Sequence, residues 1–191
     1  MLIDFVGLGS MGLGMAVSLV KAGHTVRGFD PAEARVEMLV AQGGSPFGEA
    51  AQMADAVVSA VLNADQTRTV LFGEQAVAER LRPGGVIISC ATVSPAFAAE
   101  MEAQAEDAGL LYLDAPISGG AIKAAAGQLS IMASGRAAAF DAAGPALEAM
   151  AETVHRLGDH AGPGSAMKSV NQLLAGVHIA AMGEALAFGA S

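Results

Sequence analysis

The sequence predicts an α/β protein: a Rossmann-type doubly wound, mostly parallel sheet followed by the start of an all-helical C-terminal domain. Three observations predict it. Short apolar runs such as Val86-Ile87-Ile88 alternate with longer stretches of helical periodicity. Runs that are apolar throughout mark strands with both faces covered, as in a parallel sheet between two layers of helices. A glycine-rich turn, Gly7-Leu8-Gly9-Ser10-Met11-Gly12, joins the first run to the first helical stretch. One break rich in glycine and proline, Asp159-His160-Ala161-Gly162-Pro163-Gly164, separates the alternation from a single long apolar helix.

Element by element, the apolar run at 3–7 is a strand, 11–22 a helix and 25–29 a second strand. A helix near 32–42 follows, then a strand at 56–62 and a helical stretch over 64–79. The apolar run at 86–91 is the next strand, with a helix over 95–107 and a strand at 110–113. The alternation continues with a strand at 129–133, a helix over 138–150 holding Pro145 early, and a strand at 153–156. Alternation of this kind is the pattern of a doubly wound fold. The break places the domain boundary so that 1–161 is the Rossmann-type domain and 162–191 the first long helix of a second domain. That helix is expected to be still running at Ser191, with an apolar face for further protein or another chain to cover.

Composition narrows the function. The 191 residues hold 53% hydrophobic side chains and 24 glycines, enough for a substantial core. A net charge of −9, from 19 acidic and 10 basic residues, argues against nucleic acid as a partner, since such proteins carry a basic face. The lone Cys90 sits in an apolar run, which excludes a disulfide framework within the chain and fits a reducing cytoplasm. The N-terminus shows no signal-peptide pattern. The apolar stretch at 173–190 carries His178 and Glu184, so a buried core helix is expected rather than a membrane span. No histidine has metal-ligand spacing with another ligand type, and no metal is predicted.

The turn at 7–12 is a G-x-G-x-x-G motif. Gly7 permits the tight strand-to-helix turn, Gly9 lets a pyrophosphate approach the backbone, and Gly12 lets the helix pack closely on the sheet. The helix N-terminus then offers N–H groups and a positive dipole end to phosphate. Asp30 lies 18 residues past Gly12, at the end of the second strand, where a carboxylate accepts bonds from ribose hydroxyls. It repels a 2′-phosphate, so NAD is favoured, although Arg27 and Arg35 nearby leave NADP possible. The same carboxylate also fits an N-cap of the helix that follows.

Two further segments carry chemistry. Asp114-Ala115-Pro116-Ile117-Ser118-Gly119-Gly120 follows a strand at the sheet edge where such folds bind ligands. Ser118 and the amides of Gly119 and Gly120 suit a carboxylate, and a tight turn fits the pattern equally. In the last helix Lys168 has Asn171 and Gln172 on its own face and no other charged residue from 167 to 182. Burial there would lower the lysine pKa toward the range useful for acid–base work, whereas a lysine reaching from a core helix to water is the plain alternative.

Four segments together, GLGSMG at 7–12, CATVSP at 90–95, DAPISGG at 114–120 and GPGSAMKSVNQLLAG at 162–176, resemble the β-hydroxyacid dehydrogenase family. The resemblance implies that Lys168 is the catalytic acid–base, that Ser118, Gly119 and Gly120 bind the substrate carboxylate, and that Asn171 and Gln172 contact substrate. It also implies that Gly7, Leu8, Gly9, Ser10, Met11, Gly12, Asp30, Leu62, Asn63 and Thr92 bind the cofactor. Most members have two adjacent asparagines where this chain has Asn171 and Gln172, so the pocket is altered by one methylene. That Gln, with LFGEQAVAERLRPG at 71–84, looks most like the L-threonate dehydrogenase branch. The implied activity is hydride transfer between NAD and a small hydroxy acid, in a homodimer or homotetramer formed through the helical domain. A non-catalytic dinucleotide-binding module is the competing reading, and the lysine with its two amides argues against it. An imine reductase or chromatin reader on the same scaffold would be expected to lack that lysine.

Overall fold

The computed structural model describes residues 1–48 and 52–190. Its main sheet contains β1 (Leu2–Val6), β2 (Thr25–Phe29), β3 (Ser45–Pro46), β4 (Ala54–Ser59), β5 (Leu81–Ser89) and β6 (Leu111–Asp114). The strand order is β3-β2-β1-β4-β5-β6 and every pairing is parallel. This is the doubly wound order with its switch point between β1 and β4, where a crevice opens at the carboxyl edge.

Neighbouring residues in the central strands serve opposite faces. Val58 and Ile88 join Met15 and Leu19 of α1 (Gly12–Lys21) and Phe140 and Leu147 of α6 (Ala137–Met150) in one core. Val57 and Ile87 join Leu71 of α3 (Ala64–Phe72) and Met101 of α4 (Pro95–Asp107) in the other. Fully burying such a side chain contributes about 1.5–3 kcal/mol. That is why unbroken apolar runs, rather than alternating ones, mark these strands. The remaining cover comes from α2 (Glu33–Val40), packed along β2 and β3.

Register aligns the carboxyl ends of the strands. Val6 lies opposite both Phe29 and Ser59, Ser59 opposite Ser89, and Ser89 opposite Asp114. Residues just after these five therefore emerge along one edge.

Several elements differ from expectation. The helical stretch at 64–79 divides: α3 stops at Phe72, and after Ala76, at φ 42°, a 3-10 helix spans Val77–Arg80. β5 starts at Leu81, earlier than its apolar run, through an exposed Arg82-Pro83-Gly84 segment. Pro145 sits in the middle of α6 rather than early. The loop after β6 contains β7 (Ile117–Ser118) and α5 (Gly120–Ala125), and β8 (Leu129–Ala133) and β9 (Ala151–Arg156) do not extend the main sheet. They form a second sheet, β7-β8-β9, with β7 antiparallel to β8. Only Ala115 and Pro116 separate β6 from β7, too short for a crossover, so the chain folds back instead. Asp114 and Ser134 exchange both backbone bonds, at 3.0 and 2.8 Å, and join the two sheets there.

The last helix, α7 (Pro163–Gly189), departs most from expectation. The break before it is not loose: Ala161, Gly162, Gly164 and Ser165 are buried. Conversely, every residue from Gln172 to Ala190 is exposed, so the expected buried core helix is not found among the described residues. Leu173, Val177, Ile179, Met182 and Leu186 are each more than half exposed. Ser191, where the helix was expected to continue, lies outside the described residues.

Candidate active site

The glycine turn leaves β1 at the switch point. Gly7 takes φ 89°, open to glycine at little cost, and its N–H donates to Phe29 O at 2.9 Å. A Cβ at Gly12 would collide with Gly7 O, so close helix–turn packing needs glycine there. At Gly9 the nearest atom to such a Cβ is Arg35 Nη1 at 3.6 Å, so nothing in the fold forbids a side chain. The space above Gly9 is therefore free for a ligand. Helix α1 begins without a side-chain cap; Leu13 N donates back to Gly9 O at 3.1 Å, and the positive end of the helix dipole faces the turn, where an anion is favoured.

Asp30 ties the turn to β2. Its Oδ2 accepts from Leu8 N at 2.8 Å, and Oδ1 accepts from Ala32 N at 2.9 Å. The local bond is a turn before α2, whose N-cap is Ala32 and has no side-chain cap, so Asp30 does not cap that helix; the bond to Leu8 fixes the glycine turn. Arg35, half-exposed, lies 3.4 Å from Asp30 Oδ2. Arg27 is turned away: it binds buried Asp4 at 2.6 Å, which Arg80 also contacts at 2.9 Å. Of the two arginines flagged by sequence, only Arg35 faces the Asp30 carboxylate.

A cleft of about 650 Å³ runs over this turn, lined by Gly7, Gly9, Ser10, Asp30, Arg35 and Leu62 among others. A glycine floor, uncapped helix end and carboxylate at the far end fit an adenosine diphosphate moiety. Other named cofactor residues stand differently. Leu8 is in the core, and Met11 packs against it. Asn63 caps α3 by accepting from Gln66 N at 2.9 Å, and only Leu62 of that pair lines the cleft. Thr92 is exposed after β5 at the same sheet edge.

At the other end of that edge lie β6, β7 and α7. Gly119 and Gly120 adopt φ 139° and 77° and are exposed, while Ser118 is half-buried. Ser118 and Asn171 line a second cavity of about 380 Å³, together with Ser130, Met132 and His155. Gln172 is exposed one residue further along α7. Lys168 is only 7% exposed, and burial holds its pKa below the ordinary lysine value of 10.5. Among the described residues its ammonium has no ion-pair partner. Lys168, Gln172 and Thr92 line neither cavity.

Sequence reasoning missed three groups of residues. Ser130 and His155 come to the second cavity from the small sheet, which was not foreseen. Asp114 was read only as the start of a ligand loop, yet it is 1% exposed and bonded to the first turn of α7. Ser165, three residues before Lys168 in a glycine-rich segment, was the available signal of a helix start under restraint.

Comparison with known proteins places these features in context. Residues 2–158 match the family model described as the NAD binding domain of 6-phosphogluconate dehydrogenase. The chain is 45% identical over 190 residues to L-threonate dehydrogenase of Cupriavidus necator, covering 98% of this chain and 64% of that protein. A crystal structure of 3-hydroxyisobutyrate dehydrogenase from Salmonella typhimurium superposes with a TM-score of 0.92 at 44% identity, covering 99% of this chain and 67% of that one. Mycobacterium tuberculosis 3-hydroxyisobutyrate dehydrogenase, solved with L-serine, gives 0.87 at 38% identity, covering 96% and 63%. The chain thus spans slightly less than two thirds of the curated relative's length.

Proposed function

The chain belongs to the family of the NAD binding domain of 6-phosphogluconate dehydrogenase, and from that premise we propose that it serves an NAD-dependent dehydrogenase of small hydroxy acids, with L-threonate or a related sugar acid as substrate. The observation that carries this reading is Lys168: a lysine buried without a charged partner, on the helix bonded to the sheet edge along which the cofactor cleft opens. A nucleotide-binding module without catalysis has no use for such a group, whose burial costs stability.

Bound nicotinamide supplies the hydride acceptor. Lys168, its pKa lowered by burial, takes the proton from the reacting hydroxyl, and in the reverse direction returns it. The amides of Gly119 and Gly120 with Ser118 hold the substrate carboxylate, and Asn171 and Gln172 orient its hydroxyls. Asp30 receives the adenosine ribose, favouring NAD; Arg35 beside it supplies the cation that admits NADP. Leu62 and Thr92 border the cofactor from the ends of β4 and β5, across the switch point from the glycine turn. The substrate choice is supported by the likeness to L-threonate dehydrogenase and by glutamine at 172.

The exposed apolar side chains of α7, among them Leu173, Val177 and Leu186, are covered by protein in the working enzyme. By length and composition α7 would suffice to cross a membrane. Its first turn is locked to the catalytic edge, however, and Glu184 interrupts its far half. Residues 1–161 form the nucleotide domain, 162–191 begin the helical domain through which the protein pairs with copies of itself, and the cytoplasm is its compartment.

The test is formation of NADH from NAD, and of NADPH from NADP, by the full-length protein with L-threonate, D-glycerate, 3-hydroxyisobutyrate and L-serine. Turnover highest with L-threonate and NAD is expected. No turnover with any hydroxy acid would leave the binding-module reading in its place.

A further inference from the structure

Helix α7 begins without a cap of its own. Gly162, at the N-cap position, has no side chain, and Pro163 has no N–H. The missing acceptors come from the sheet. Asp114, the last residue of β6, accepts with Oδ2 from Gly162 N at 3.1 Å and Ser165 N at 2.8 Å, and with Oδ1 from Ser165 Oγ at 2.7 Å. Ser134, just after β8, donates its hydroxyl to the same Oδ2 at 3.3 Å and accepts from Gly164 N at 2.9 Å.

The fit leaves little play. A Cβ at Gly164 would meet Asp114 O at 3.0 Å and Asp114 Oδ2 at 3.1 Å, and Gly162 sits at φ 122° against Pro95 O. Both sheets therefore grip the first turn through one buried carboxylate. Lys168 follows Ser165 by three residues, on the same face of the helix. No hydrogen bond or ion pair among the described residues holds the lysine itself. Its position is set by the backbone of α7 and by the packing that buries it.

We propose that Asp114 is the positioning residue for Lys168, fixing the rotation and depth of α7 at the carboxyl end of β6 so that the ammonium stands at the cofactor edge. This rests on the reading of Lys168 as the acid–base group. A displacement of about 1 Å at a reacting group costs on the order of a hundredfold in rate. The glycine turn and Asp30 lie at the other end of the edge, so cofactor affinity is independent of the clamp.

The experiment compares Asp114→Ala, Asp114→Asn, Ser165→Ala and Lys168→Ala in the full-length protein. It reads kcat per NADH-binding site and NADH affinity by fluorescence titration. Asp114→Ala is expected to lower kcat at least about tenfold while the NADH Kd stays within about twofold. Asparagine is expected to restore most of kcat, because its amide oxygen accepts both N–H bonds and its NH2 donates to Ser165 Oγ. Ser165→Ala keeps the carboxylate and removes one bond; it is expected to lower kcat about threefold or more, and it carries the test if Asp114→Ala does not fold. Parent kcat in Ser165→Ala, with a fall in Tm alone, overturns the proposal, as does a kcat that asparagine fails to restore. Turnover surviving in Lys168→Ala removes the acid–base reading itself, an outcome separate from the other two, and the proposal falls with it.

Discussion

At the scale of a single residue, the proposed mechanism turns on the burial of Lys168. Burial lowers its pKa below 10.5, with no neighbouring charge contributing. The unfolded chain therefore binds this proton more tightly than the folded one. Stability falls as pH drops from the ordinary lysine range through the folded pKa, and the penalty persists below it. Two results are expected. Oxidation of the hydroxy acid, which needs neutral lysine, rises with pH through an apparent pKa below 10.5, and reduction falls over the same window. Lys168→Met raises Tm at neutral pH while losing turnover. An activity profile that begins to rise only at the unperturbed lysine value, or a methionine variant less stable than the parent, would contradict the assignment. The lysine was legible in the sequence because its neighbours lack charge. Asp114 was not, because its partners lie 48 and 51 residues away and nothing local announces them. Burial supplies the rest of its account: it raises the Asp114 pKa, against the opposing bonds from Ser165, Gly162 and Ser134.

Among the elements, the glycine turn separates packing from binding most cleanly. Gly12 is confined by Gly7 O and by Phe5 Cε1 at 3.2 Å, whereas Gly9 has open space above it. Gly12→Ala is expected to destabilise the protein by roughly 1–3 kcal/mol, as overpacking does, and to lose NAD with the fold. Gly9→Ala is expected to keep Tm close to the parent yet weaken NAD binding about tenfold or more, because the added methyl stands where the pyrophosphate approaches. Thermal melts with and without NAD distinguish them, and a Gly9→Ala protein with parent affinity would contradict the placement of the cofactor. Helices and central strands were legible because their periodicity is set by burial on two faces. Short pieces were not: β3, β7 and α5 are held by tertiary pairing, and two-residue strands carry no period to detect. The division of the stretch at 64–79 turns on Gly73, a C-cap signal inside an otherwise helical pattern.

For the whole molecule, strand order and register do most of the work. The order β3-β2-β1-β4-β5-β6 brings residues 7, 30, 62 and 92, scattered through the chain, to one edge of the sheet, and Asp114 at the end of β6 ties the start of α7 to that edge. Alternating strands and helices made that fold class readable, since parallel strands require crossovers. The second sheet was unreadable, because a strand after β6 can extend the main sheet or fold back, and two intervening residues decide it. The exposure of α7 was equally hidden: an apolar helix is written the same way whatever covers it. The account as a whole stands on an acid–base lysine beside a bound dinucleotide. Its most direct test is NADH production from L-threonate by the parent and by Lys168→Ala at saturating NAD, with NAD affinity measured on both. The account predicts that kcat falls about 10²–10⁴-fold in the variant while NAD affinity is retained. Equal kcat in the two proteins would contradict it.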